Sequence, residues 1–218
     1  MSLTITKLEP QRTNPDLIDL YIDGEFRTAV AFAALNAQQL GTGDVITPEQ
    51  LEQLLAADEC WRAKQAALSL LSVRGRARGE LAERLHRKSF SDAAIQYGLA
   101  EVERLGLLDD AAFAESWVRD RLRLRPRGTQ ALVYELGRKR VPPEIAEMAV
   151  ARVMAAENVT DDELCMAAAQ RWTKVNARSN EDDALRRERR LSAYLARRGY
   201  PSRAVRAAVD AVLRTGGD

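Results

Sequence analysis

Three features of this 218-residue sequence predict a mainly α-helical chain. It reads as three tandem three-helix repeats forming an elongated curved rod, with a small N-terminal β-hairpin and helix lobe. The first feature is composition: Ala, Leu, Arg and Glu dominate, aromatics are only 6% of residues, and these types favour helix. The second is apolar spacing of helical period from about Glu59 onward, broken by turn residues at regular intervals. The third is a row of residues that recurs down the chain with its internal spacing unchanged.

The N-terminal lobe comes first. Ile18, Leu20 and Ile22 alternate with polar residues, as do Phe26, Thr28 and Val30, and Asp23-Gly24 separates the two runs. An Asp-Gly pair between period-two segments predicts a tight hairpin, because both turn residues must tolerate positive φ. Leu3, Ile5 and Leu8 can add an edge strand, and Gly41 and Gly43 mark a turn. Thr47-Pro48-Glu49-Gln50 then opens a helix, with a Thr cap, Pro at the first helical position and Gln reaching back. The lobe is assigned to residues 1–58.

Helix breaks beyond it fall at Gly75 and Gly79, Ser89–Asp92, Gly106–Asp110, Pro126–Gly128, Val141–Pro143, Asn158–Asp162, Ser179–Asn180 and Gly199–Pro201. Nine helices fit between them. Thr160 and Glu163 have capping-box spacing, and Asp109-Asp110 offers an N-cap. The recurring row begins Leu81, Leu85, Arg87, Lys88, Phe90 and continues through Ile95, Leu99 and Val102. Shifted by 51 it reads Leu132, Leu136, Arg138, Lys139, Val141, Ala146, Val150 and Val153. Shifted by a further 59 it reads Leu191, Leu195, Arg197, Arg198, Tyr200, Val205, Val209 and Val212. Each row holds one helix face, a tight basic turn, and the apolar face of the next helix. The repeats are assigned to residues 59–106, 107–158 and 159–218. A bundle of some fifty residues buries too little surface alone, so neighbours are expected to share core.

Net charge is +1, but residues 1–58 carry three basic and nine acidic groups, and the rest carries thirty against twenty-three. Twenty-eight of the thirty-three basic residues are Arg, whose planar fork of donors suits phosphate and carboxylate, although a GC-rich coding genome gives the same bias. Two stretches concentrate this charge. In one, Arg119, Arg121, Arg123, Arg125, Arg127, Arg138, Lys139 and Arg140 meet only Asp120 and Glu135. On a helical wheel Phe113, Trp117 and Leu124 form a stripe, with Arg119 and Arg123 opposite it and Arg121 and Arg125 near enough to snorkel. The other runs from Arg171 to Arg206 and includes the pairs Arg186-Arg187, Arg189-Arg190 and Arg197-Arg198. A solvated helix face explains such runs in isolation. Surpluses on two consecutive repeats favour contact with a polyanion or an acidic groove.

Catalytic constellations are missing from the sequence. His86 is the single histidine and reads as an exposed helix residue. Asp109 and Asp110 sit where a helix dipole favours negative charge and read as caps. Gly41-Thr42-Gly43 lacks the Lys of a phosphate loop. Trp61, Trp117 and Trp172 fall in the leading helices and read as core anchors. Cys60 and Cys165 have no metal-type spacing and read as reduced, buried thiols of a cytosolic protein. Met1 to Pro10 shows no signal-peptide pattern, and no run approaches the ~20 apolar residues of a membrane span. The expectation is a cytoplasmic, monomeric interaction protein without enzymatic activity or cofactor.

These residues resemble the RecX family. Leu107-Leu108-Asp109-Asp110-Ala111-Ala112-Phe113-Ala114 is similar to its apolar–Asp-Asp–x-x–Phe-Ala motif, so Asp109, Asp110 and Phe113 are its structural signature here. Gly128 through Glu135-Leu136-Gly137-Arg138-Lys139-Arg140-Val141 and Arg197-Arg198-Gly199-Tyr200 resemble the turn motifs of the second and third units. The likeness spans about residues 5–213, and Ser89 and Arg140 stand where the family usually has Gly. The resemblance implies a bacterial cytoplasmic protein that binds RecA and the RecA–DNA filament groove. Such proteins lower ATP hydrolysis, strand exchange and RecA-stimulated LexA cleavage in the SOS response. Contact candidates are then Arg119, Arg123, Arg127, Arg138, Lys139, Arg140, Arg186, Arg187, Arg190, Arg197 and Arg198. The alternative is a protein that binds DNA directly, weakly and without sequence preference.

Overall fold

The computed structural model describes residues 2–176 and 184–214, which fall into two compact units divided between Leu108 and Asp109. The expected break at Ser179–Asn180 lies outside the described residues.

In the first unit, β1 (Leu3–Pro10), β2 (Leu17–Ile22), β3 (Glu25–Ala31) and β4 (Val45–Ile46) form an antiparallel sheet of order β3-β2-β1-β4. The Asp23-Gly24 turn has φ of 52° and 90°, the left-handed pair that lets two right-twisted strands meet. β1 is not the expected edge strand, since it lies between β2 and the two-residue β4. A short helix, α1 (Phe32–Ala37), also follows β3 directly and was not evident from the sequence. Ile5, Ile18, Leu20, Ile22 and Val30 are buried with Leu51 and Leu54 of α2, and Trp61 packs half-buried on this core.

Helix α2 (Pro48–Val73) begins with the expected capping box of Thr47 and Gln50. It continues unbroken through residues 58 and 59, so lobe and first repeat share one helix. Asp58 is 7% exposed and fastens this helix to the edge strand. Its carboxylate accepts from the Ala31 N–H and from Arg62 Nε, both at 2.6 Å, while Arg62 Nη2 donates to the Ala29 carbonyl at 2.7 Å. Side chains thereby satisfy backbone groups of β3 that no strand pairs, which blunts the edge.

The first repeat is completed by α3 (Arg78–His86) and α4 (Asp92–Arg104). Gly79 is inside α3, so the expected break is confined to residues 74–77. The second unit contains α5 (Asp110–Leu124), α6 (Thr129–Arg138), α7 (Pro143–Ala156), α8 (Asp161–Val175), α9 (Ala184–Arg197) and α10 (Ser202–Arg214). Leu81 and Leu85, Leu132 and Leu136, and Leu191 and Leu195 are all fully buried. Each such leucine contributes about 1.5–3 kcal/mol through apolar burial.

The turn after each middle helix places one residue in the left-handed region: Ser89 at φ 64°, Arg140 at 65° and Gly199 at 77°. These positions are 51 and 59 residues apart, matching the repeat. The turn is therefore kept where glycine is absent, at a cost of about 1 kcal/mol for a residue with a Cβ. First and third helices of each bundle cross through small residues. A Cβ on Gly98 of α4 would meet the Ala63 backbone of α2 at 3.1 Å, and Ala149 and Ala208 hold the corresponding positions of α7 and α10. The leading helices also correspond, but at 51 and then 51: Ala63 and Ala67, Ala114 and Val118, Cys165 and Ala169, all buried. Eight additional residues of the third repeat therefore fall between α8 and α9.

Candidate functional site

Asp109 accepts the Ala112 N–H at 2.9 Å and starts α5, as its position ahead of an apolar run implied. Asp110 is the first helical residue and Phe113 is half-buried. Ala114 and Val118 form the buried line of this helix. Leu124, assigned to the apolar stripe, is instead 75% exposed because α5 ends there. Arg119 and Arg123 lie on the opposite, exposed face.

Arg119 donates to Glu115 at 2.9 Å and lies 3.9 Å from Glu157, while Arg152 of α7 donates to the other Glu115 oxygen at 2.9 Å. Hydrogen bonds from Arg152 and Arg119 hold the Glu115 carboxyl below the usual carboxylate range. Arg123 has no ion pair among the described residues.

The inner cations of the second repeat surround Trp117, which is half-buried. The Arg121 guanidinium stacks 4.4 Å from the ring centre and Lys139 Nζ lies 3.9 Å from it. Arg121 and Arg127 converge on Glu135 with N–O distances of 2.7 and 3.1 Å. Their Nε–H groups make no aligned hydrogen bond, so the contacts are ion pairs of close approach. Trp117 is thus a platform for cations as well as a packing residue, which corrects its reading as a plain core anchor. Arg138 and Arg140 are exposed beside this cluster.

In the third repeat, Arg186, Arg190 and Arg197 are exposed and Arg187 and Arg198 half-buried. Arg186, Arg189, Arg190 and Arg197 line a groove of about 360 Å³ with Trp172, Ala193 and Tyr194. Arg189, of the Arg189-Arg190 pair in this basic stretch, lies one turn before Ala193 on the same face. The Trp172 and Tyr194 ring centres are 6.4 Å apart at 41°, with the Arg190 guanidinium 6.0 Å from Trp172. Trp172 also packs on the buried core of this repeat, consistent with an anchor.

Arg198 has an internal role. Its guanidinium stacks 4.7 Å from Tyr194 and donates to the Pro126 carbonyl at 3.4 Å, and its own carbonyl accepts the Gly128 N–H at 3.0 Å. A Cβ on Gly128 would stand 2.2 Å from the Gly199 carbonyl, and one on Gly199 would stand 2.3 Å from the Ala131 nitrogen. Two glycines therefore let the backbones of the second and third repeats touch. Thr129 adds two hydrogen bonds to Asp161, at 3.0 Å from its N–H and 2.7 Å from its hydroxyl.

Among the described residues no cluster of three or more His, Cys, Asp or Glu could hold a metal ion, and His86 is exposed at the end of α3. Cys165 is buried, and burial pushes its thiol up to about 11; Cys60 is only half-buried. No helix among the described residues is long and apolar enough to cross a membrane.

Comparison with known proteins places these bundles. Residues 63–100 match the family model "RecX, first three-helix domain" and residues 109–150 match "RecX, second three-helix domain". The regulatory protein RecX of Prosthecochloris aestuarii is 33% identical over 152 residues, covering 70% of this chain and 94% of that one. The regulatory protein RecX of Amycolatopsis mediterranei is 34% identical over 140 residues, covering 64% and 77%. A crystal structure of regulatory protein RecX superposes with a TM-score of 0.74 at 22% identity, over 95% of this chain and 99% of that one. RecX from Lactobacillus salivarius gives 0.59 at 22% identity, over 71% and 96%. These two likenesses are of fold.

Proposed function

The chain belongs to the RecX family of regulatory proteins, and on that premise we propose that it lowers the activity of RecA by binding RecA and the RecA–DNA filament. The observation that carries this reading is the face of α5 opposite Ala114 and Val118, where Arg119 and Arg123 are exposed. Arg138 and Arg140 are also exposed on the second repeat, and Arg186, Arg187, Arg190 and Arg197 supply a second basic face, whereas Arg127, Lys139 and Arg198 are engaged within the second unit. Repeated guanidiniums on consecutive bundles suit a partner that itself repeats, as the protomers of a filament do.

A ligand that prefers one filament geometry shifts the population toward it. Bridging neighbouring protomers in an inactive geometry would lower ATP hydrolysis, strand exchange and LexA co-cleavage together. The protein acts in this reading as a cytoplasmic monomer by contact alone, without catalysis or cofactor, in recombination, DNA repair and the SOS response. Arg119→Glu/Arg123→Glu tests the assignment. The double variant is expected to lose inhibition of RecA ATP hydrolysis at unchanged helical content, and full inhibition by the folded variant rejects this face.

A further inference from the structure

We propose that the groove between α8 and α9 is a binding site for single-stranded nucleic acid, with phosphates on Arg189 and Arg197 and a base against Trp172. The site lies on this chain alone and would operate without RecA, so it does not depend on the regulatory reading above.

Its chemistry is set by the face of α9. At 100° per residue, Arg189, Ala193, Arg186, Arg197 and Arg190 fall within one third of the helix circumference, and Glu188 falls on the far side. Ala193 at the centre of this arc is small, which leaves the groove open between the guanidiniums. Arg186 and Arg197 are eleven residues apart, about 16 Å along the axis, the length of a few nucleotides. Arg189 and Arg197 have no ion pair among the described residues, and the lining carries no carboxylate among them.

Planar guanidiniums in such a row match phosphate oxygens through paired donors. The groove's other wall is aromatic: Trp172 and Tyr194 both line it, half-buried. An acidic protein segment would use the cations but not the part of these rings that the core leaves uncovered. A base released from a duplex has an open π-face that stacks on an aromatic ring in a sequence-tolerant way. That combination favours a single strand over both an acidic peptide and a duplex, whose bases are already stacked.

The test measures binding of the full chain to a fluorescein-labelled 20-nucleotide oligothymidylate by anisotropy, without RecA. Arg189→Glu/Arg197→Glu should weaken binding at least tenfold, and Arg119→Glu/Arg123→Glu less than threefold. An abasic strand of equal length should bind at least fivefold more weakly than oligothymidylate. Both arginines substituted are exposed, and unchanged circular dichroism and unfolding midpoint will certify the fold. Wild-type affinity of Arg189→Glu/Arg197→Glu, or equal affinity for the abasic strand, overturns the proposal. So does a variant that keeps oligonucleotide affinity but loses inhibition of RecA, because the groove would then be a protein-docking face. Lost oligonucleotide binding with RecA inhibition intact supports the site and leaves the regulatory reading standing.

Discussion

Position 135 of the second repeat and position 194 of the third lie 59 residues apart, at the same place on the middle helix of their bundles. One is a glutamate and the other a tyrosine. Glu135 draws in Arg121 and Arg127, so the inner cations of the second repeat are neutralised beside Trp117. Tyr194 supplies no such charge, and its neighbours Arg189, Arg190 and Arg197 line a groove instead. Around this difference the bundles agree. Leu132 and Leu136 are buried as Leu191 and Leu195 are, and Lys139 and Arg198 each lay a cation over an aromatic ring of their own bundle. Core and turn are thus held constant, while this position carries a carboxylate that engages two arginines in one bundle and an aromatic ring beside an arginine-lined groove in the other.

The comparison can be broken first at the shared core. Leu132→Ala and Leu191→Ala should each destabilise the protein by about 3 kcal/mol, read from urea unfolding. A loss below ~1 kcal/mol at either site would show that the bundles do not rely on the same leucine row. Next comes the backbone contact between them. Gly199→Ala adds a Cβ against Ala131 at left-handed φ and should cost about 2–4 kcal/mol. Arg140→Gly, at the equivalent turn of the second repeat, should instead stabilise by about 1 kcal/mol, since the same φ becomes unstrained. A loss on adding a Cβ at one position and a gain on removing it at the other would confirm that the left-handed turn is common to both repeats.

A smaller effect tests the surface position itself. Glu135→Gln releases Arg121 and Arg127 and should raise oligonucleotide affinity roughly threefold. It should lower stability by about 1 kcal/mol, because the pair is half-exposed. No gain in affinity would mean that Glu135 is not what closes the second repeat. Acid titration gives the least effect. Hydrogen bonds from Arg104 and Lys64 depress the Glu101 carboxyl from 4.5 to about 2 in the first repeat, and Glu115 is lowered likewise in the second. A depressed carboxyl stabilises the fold above its unfolded value and loses that contribution as pH falls through the folded one. Thermal midpoints should therefore decline between about pH 4.5 and 2, and less so in Glu101→Gln.

Much of the fold could be read from the chain because its signals were local. The Asp23-Gly24 hairpin, the Thr47 and Thr160 capping boxes, the Asp109 cap and the leucine rows each rest on spacings within a few residues. Helix α1 and strand β4 are too short to show a period, and α2 crosses from lobe to repeat with no break in sequence to mark it. The third leading helix matches the other two at a different spacing from the rest of its repeat, so a shift of 59 hides the correspondence. A shift of 51 aligns Cys165 and Ala169 with Ala114 and Val118. The basic faces were visible as charge runs, but their internal pairing was not. Glu135 is fourteen residues from Arg121, Pro126 is seventy-two from Arg198, and only the folded bundles bring these groups together. The stacking of Arg121 on Trp117, four residues apart on one helix, was a spacing the sequence did offer.

The central claim, that this protein restrains RecA by acting on its filament, is tested most directly by RecA ATP hydrolysis on single-stranded DNA. The protein would be titrated far below the concentrations of RecA and of DNA sites. A decline at such ratios is the predicted result, because one molecule bound to a filament affects many protomers. A rate that falls only when the DNA is saturated, or never falls, would contradict the claim.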